Sequence, residues 1–312
     1  MKQVSLYLFC LLFSFMVFSQ ENIISEEILI MNDSVKLPGT LTYNKDLKSQ
    51  SLAIFIHGSG NVDRNGNQAG VNIKANYIKE LADSLNARGI AFYRYDKRSA
   101  TEENLRFMMK DLNFDRFVDD ANLAVNNFKD DKRFSSITLI GHSQGSLVAM
   151  LAAQKNVDKY VSLAGISEDM GSFIINSYKQ VSQEMSDMTK EQVNELKETG
   201  TIENVDPALA HLFSKPNQRF FITWMAYNPS EEIIKLNMPV LILNGTKDLQ
   251  VKVKEAEKLH VAKPDSELVL IENMNHVLKD IEKDENNMKS YFSPDYPLSS
   301  KLVNTIEAFI KK

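Results

Sequence analysis

The chain has 312 residues, of which 43% are hydrophobic and 25% charged, an ordinary globular composition that excludes a disordered or fibrous protein. Lys and Arg number 36 against 41 Asp and Glu, a formal charge of −5 without a dense basic block, so the electrostatic footprint of a nucleic-acid binder is missing. Cys10 is the only cysteine, which leaves neither a cysteine metal site nor a cysteine nucleophile once the first residues are set aside.

Those first residues run from Lys2 through an apolar stretch, Leu6 to Phe18, to Ser19 and then polar sequence. The pattern predicts a signal peptide over 1–19, an exported mature chain in the periplasm or secreted, and no stable membrane insertion after cleavage, because the apolar run is short for a membrane span. Beyond it, "EILIM" and "KLPGTLTY" read as strands, followed by "LAIFIHG". A helix is predicted over 75–88, with Tyr77, Ile78, Leu81 and Leu85 inward and Gly89 as its stop. The strand "IAFYRYD" comes next; Asp96 and Arg98 at its end either contact substrate or, the simpler reading, hold neighbouring loops together by ion pairing. In "FDRFVDDANLAVNNF" the apolar residues fall three and four apart, which gives a helix with one buried stripe.

Four further strands, "ITLIGHS", "YVSLAG", "PVLILNG" and "ELVLIEN", lack polar alternation and so are buried on both faces. Strands alternating with amphipathic helices specify a mostly parallel sheet covered on both sides, an α/β fold. The stretch from about 166 to 235 interrupts this rhythm with polar helical sequence and is read as a helical cap inserted over one end of the sheet. Phe220, Phe221, Trp224, Met225 and Tyr227 within it either line an apolar pocket or, as helical spacing more often means, form core.

"GHSQG", Gly141 to Gly145, fits the G-x-S-x-G pattern between a predicted strand and a predicted helix, the setting of a nucleophile held on a sharp turn. The competing reading of Ser143 is a helix N-cap. A serine nucleophile needs a base, and the base needs an orienting acid. Among five histidines, His276 in the loop after the last predicted strand fits best; His211 lies in the insertion and His260 in a packing position. Asp248, in the turn after "PVLILNG", is the matching acid, with an Asx-turn as its structural alternative. The order Ser143, Asp248, His276 is the one expected of three residues at the carboxyl ends of one parallel sheet. Donors for a developing oxyanion are assigned to the backbone amides of Ser59 and Gln144, with Gly60 as alternate, in a loop opened by Gly58 and Gly60 and braced by His57.

With these residues in hand, "HGSG", "YRYDKRS", "GHSQGS", "NGTKDLQV" and "NMNHVL", in this order, resemble the α/β-hydrolase superfamily, nearest its secreted bacterial esterases and its serine-aminopeptidase-like or dienelactone-hydrolase-like members. The resemblance spans nearly all of residues 20–312. It implies an eight-stranded sheet, a Ser143, Asp248, His276 triad, no cofactor and no metal. Three positions depart from the pattern: "SATEEN" follows "YDKR" without the glycine-rich continuation, Asn61 stands where proline is usual, and Lys252 replaces a proline after the acid loop. The expected activity is hydrolysis of a small-molecule carboxylic ester through an acyl-enzyme. A peptidase acting on small peptides is the alternative and needs an acidic recess, for which Glu184, Asp187 and Glu191 are available; a solvated helix face explains them more simply. A non-catalytic binding protein on the same fold is the third reading.

Overall fold

The computed structural model describes residues 22–108 and 110–312; the predicted signal peptide, with Cys10, lies outside the described residues. Eight strands form one sheet: β1 (Ile23–Asn32), β2 (Val35–Asn44), β3 (Gln50–Ile56), β4 (Ala91–Tyr95), β5 (Phe134–His142), β6 (Lys159–Leu163), β7 (Val240–Gly245) and β8 (Glu267–Ile271). Their order across the sheet is β1-β2-β4-β3-β5-β6-β7-β8. β2 runs antiparallel to both of its neighbours, and every pair from β4 to β8 is parallel. The mostly parallel, eight-stranded α/β sheet expected from the sequence is therefore the one found.

The central strands carry apolar residues on both faces because each face is covered. Along β3, Leu52, Ile54 and Ile56 point into one apolar cluster while Ala53 and Phe55 point into the other, and β7 divides Val240 and Ile242 from Leu241 and Leu243 in the same way. Helices α1 (Tyr77–Asn86) and α8 (Ser300–Lys311) close the second cluster. α2 (Asp115–Phe128), α3 (Gln144–Ala152) and α7 (Val253–Ala262) close the first. The period of two along each strand thus builds two cores with the sheet between them.

Between β6 and β7 the chain makes helices α4 (Met170–Lys179), α5 (Gln183–Thr199) and α6 (Lys215–Met225), with shorter turns between them. Trp224 stacks on Phe114 of the segment entering α2 at a centroid separation of 5.5 Å, and Phe220 meets Phe117 edge-on at 5.8 Å. The aromatic residues of this insertion are therefore core that fastens it to α2. Tyr227 adds a hydrogen bond from its hydroxyl to Asp115 at 2.7 Å. Among the described residues no helix is long and apolar enough to cross a membrane.

Candidate active site

Parallel strands end on the same edge, so the loops after β3, β5, β7 and β8 gather His57 to Gly60, Ser143, Asp248 and His276 at one end of the sheet. Ser143 sits between β5 and α3 with φ 54° and ψ −123°, a conformation that non-glycine residues seldom adopt. Its hydroxyl makes no capping bond to α3, so the helix-cap alternative finds no support. The turn is closed by hydrogen bonds from the Ser143 amide to the Leu163 carbonyl (2.9 Å) and from the Ser146 amide to the Ser143 carbonyl (2.9 Å).

The two glycines of the motif are demanded by close approach. A Cβ on Gly141 would lie 2.3 Å from the Gly145 carbonyl oxygen, and one on Gly145 would lie 2.2 Å from the Ile56 carbonyl oxygen and 2.3 Å from that of His57. Helix α3 can therefore start directly against the end of β3.

Asp248 and His276 are joined by a 2.8 Å contact from Nδ1 to Oδ2, with only 3% and 5% of each residue exposed. The other carboxylate oxygen of Asp248 accepts from the amides of Gln250 (2.7 Å) and Val251 (2.9 Å). One oxygen of Asp248 thus closes an Asx-type turn while the other bonds to an imidazole. Burial by itself would raise the carboxyl, but the neighbouring His276 and these hydrogen bonds outweigh it and hold Asp248 below its ordinary value. Because a carboxylate only accepts, Nδ1 of His276 carries a proton in this contact, and in the neutral ring that leaves Nε2 its lone pair. No hydrogen bond joins Ser143 to His276 among the described residues, as is common before a substrate draws such groups together.

The remaining histidines are accounted for. His57 donates from Nε2 to the Tyr95 carbonyl, bracing the loop as expected. His142 donates from Nε2 to the His276 carbonyl at 2.9 Å. Burial, and then the neighbouring Lys97 for the first and the neighbouring His276 for the second, pushes both down to about 3, so both are neutral. His260 bonds to Ser266 within its helix turn and His211 to the Tyr178 hydroxyl in the insertion, both away from the Asp248 pair.

The amides of Ser59 and Gln144 find no acceptor among the described residues, and Gln144 opens α3, so two unused N–H donors and a helix N-terminus flank Ser143. Asp96 pairs with Arg64 (2.9 Å) and Arg98 with buried Asp120 (2.7 Å), the structural ion pairing expected of them. The sequence reading passes over Lys97, which is 6% exposed and donates to the Gly58 carbonyl (2.7 Å) and to the Gln144 side-chain oxygen (2.6 Å). A lysine among charged residues at a strand end reads as solvated, and only the fully buried run "AFYRY" before it hints otherwise. Among the described residues no group of three or more His, Cys, Asp or Glu is placed to hold a metal ion.

The family described as serine aminopeptidase, S33, matches residues 69–196. Esterase EstD of Thermotoga maritima is 24% identical over 264 residues, which are 78% of this chain and 58% of that protein, so the chain spans little more than half the length of that curated relative. Among solved structures, Est1E from Butyrivibrio proteoclasticus superposes with a TM-score of 0.57 at 17% identity, covering 91% of this chain and 97% of that one. The Pyrococcus horikoshii acylaminoacyl peptidase does so with a TM-score of 0.58 at 10% identity, covering 94% of this chain and 42% of its own. At such identities the likeness is one of fold.

Proposed function

We propose that this protein belongs to the α/β-hydrolase superfamily, whose fold it has, and is a serine hydrolase that cleaves small carboxylic esters through an acyl-enzyme. The observation that carries the reading is the buried Asp248 to His276 contact of 2.8 Å set beside a serine held at φ 54° on a strand-to-helix turn. Strain at one residue and a buried carboxylate held against an imidazole are costs that a fold retains where chemistry needs them.

In this reading the Ser143 oxygen bonds to the substrate carbonyl carbon while its proton passes to Nε2 of His276. The carbonyl π electrons move onto oxygen, which the amides of Ser59 and Gln144 receive. Collapse of that intermediate expels the alcohol, which takes the proton from Nε2 and leaves the acyl group on Ser143. A water then repeats the sequence and releases the acid. Asp248 holds the imidazole tautomer and offsets its charge when it is protonated. Removing one oxyanion donor of this kind costs about 3 kcal/mol of transition-state stabilisation.

The helical insertion serves as the cap over this site. Its support is local: Ser167, at the start of the insertion, donates from its amide (3.1 Å) and hydroxyl (2.5 Å) to Glu255 of α7, which brings α4 beside the Asp248 loop. Phe173 and Ser177 of α4 then face Leu249 and Gln250 across a groove. Glu184, Asp187 and Glu191 lie on the exposed side of α5, so they do not supply the acidic recess that a free amino terminus would need. Ester substrates are favoured over peptides on that ground.

The test is hydrolysis of p-nitrophenyl acetate by the purified chain beside its Ser143→Ala variant. Turnover by the first and its loss in the second support the reading. Equal rates in the two remove Ser143 as nucleophile, and cleavage of amino-acid p-nitroanilides in preference to the ester moves the reading to a peptidase.

A further inference from the structure

The peptide unit between Gly58 and Ser59 has two ends with different tasks. Its N–H, on Ser59, is one of the two donors assigned to the oxyanion; its carbonyl, on Gly58, points the opposite way because the peptide is trans and planar. That carbonyl accepts from Lys97 Nζ at 2.7 Å. The second donor belongs to Gln144, whose side-chain oxygen accepts from the same Nζ at 2.6 Å. One ammonium therefore ties both donor-bearing residues together from behind the site, and the two loops come from different strands.

We propose that Lys97 is the positioning residue of the oxyanion hole, fixing the direction of the Ser59 N–H through the Gly58 carbonyl and the place of the Gln144 N–H through its side chain. The inference rests on the ester-hydrolase reading above. Lys97 is itself held in place. Its amide donates to the Val62 carbonyl at 3.1 Å, and its Nζ lies 4.8 Å from the centre of the Phe117 ring. Its surroundings are otherwise Ile56, His57, Tyr95 and Val148, with Asp120 already engaged by Arg98. Burial pushes the amine down to about 7, only partly offset by Asp120. Both acceptors are uncharged carbonyl oxygens, so even a neutral amine, with two N–H groups, donates to both, although more weakly than an ammonium does. A lysine without a carboxylate of its own in this cavity is poor material for stability and well shaped for a double anchor. Donation to the Gly58 carbonyl also polarises the peptide and strengthens its N–H as a donor.

The experiment compares Lys97→Met, similar in length but without donors, with the wild type and Ser143→Ala on an ester and on the matching thionoester. Sulfur accepts hydrogen bonds weakly, so a fault in the hole slows the oxygen ester more than the thionoester. The expected result is a folded Lys97→Met protein with kcat for the ester lowered about 10- to 100-fold, KM within about 3-fold, and a clearly reduced ester-to-thionoester rate ratio. Wild-type kcat in the variant, or equal slowing of both substrates, overturns the assignment. Should Lys97→Met not fold, Gln144→Met keeps the backbone donor and removes one anchor; it must show the same change of ratio at smaller amplitude, and an unchanged ratio overturns the assignment too. If the wild type and Ser143→Ala do not differ, the ester-hydrolase reading fails and takes this one with it. If only Ser143→Ala is inactive and Lys97→Met keeps the wild-type ratio, the Lys97 assignment fails alone.

Discussion

His142, the residue before the elbow serine, donates from Nε2 to the backbone carbonyl of His276 at 2.9 Å, and the two rings lie 4.7 Å apart. The strand that presents the proposed nucleophile thus also holds the loop that presents the proposed base. The other nitrogen, Nδ1, faces the Tyr77 hydroxyl at 3.5 Å, which suits a neutral ring protonated on Nε2.

Removing that tie should loosen the base without touching substrate. His142→Ala is expected to lower kcat about 10- to 100-fold with little change in KM, since misplacement of a catalytic group by about 1 Å costs on that order. His142→Gln, whose amide nitrogen reaches about as far as Nε2, should recover most of the loss. Steady-state kinetics of the two variants checks this, and equal activity of Ala and Gln would show that the hydrogen bond does not matter.

The buried neutral histidines also set an acid limit. His57 and His142 are both pushed down to about 3 by burial, against 6.5 in an unfolded chain. Between those values the unfolded chain binds a proton at each site and the folded one does not. Their stability contribution is therefore complete above about pH 6.5 and is lost as pH falls toward 3. By pH 5 the loss is about 2 kcal/mol for each histidine. Urea unfolding at pH 7.5 and pH 5 measures it, and His57→Gln should halve the histidine-linked part. A variant as acid-sensitive as the wild type would contradict the burial argument.

The legible parts of the fold are those where burial is two-sided. β3, β5, β6 and β7 stand out in the sequence because both faces are covered and no polar alternation interrupts them, and the chemistry-bearing loops follow from where such strands end. At the sheet edges the signal misleads or weakens: "ELVLIEN", expected to be buried on both faces, is the edge strand β8, where Glu267 and Leu270 are exposed because no strand and less chain cover that side. "EILIM" marks only half of β1, whose alternate residues are exposed from Ser25 to Met31. The two-residue strands Asn67–Gln68 and Ile73–Lys74 have no apolar signature at all. Around the candidate site, Ser143, Asp248 and His276 are legible as candidates because residue type and chain order single them out. Lys97 and His142 are not, because what sets them apart is the carbonyl each one meets, 39 residues away for Lys97 and 134 for His142.

Asp248→Asn separates orientation from charge. The Gln250 and Val251 amides can still bond to the remaining oxygen, so the turn and the fold should persist. The amide N–H would face Nδ1 of His276 and favour the tautomer with its proton on Nε2, which cannot accept from Ser143. A fall in kcat of about 10⁴-fold is expected at neutral pH, with a thermal midpoint close to that of the wild type. In the wild type the carboxyl is held below its ordinary value of 3.8, so its stabilising effect is complete above that value and is lost only as pH falls through its lower folded one. Retention of more than about a tenth of the activity in Asp248→Asn would remove Asp248 from the orienting role.

Gly145→Ala tests whether the elbow and the oxyanion loop form one packed unit. The added methyl would sit 2.2 Å from the Ile56 carbonyl oxygen and 2.3 Å from that of His57, both backbone atoms at the end of β3 that cannot turn aside. Helix α3 must then move away from β3, carrying the Gln144 amide away from that of Ser59. Overpacking of this kind costs about 3 kcal/mol, and the displaced donors should lower kcat about 100-fold or more in whatever protein still folds. Gly200→Ala is the control. It has a positive φ, 79°, which Gly145 within its helix does not, and a Cβ there meets nothing within 4 Å, so the change should cost about 1 kcal/mol at the end of α5 and leave kcat unchanged. Urea midpoints and kcat of the two variants decide the matter: a Gly145→Ala protein as stable and as active as Gly200→Ala would mean that β3 and α3 can separate without disturbing the site.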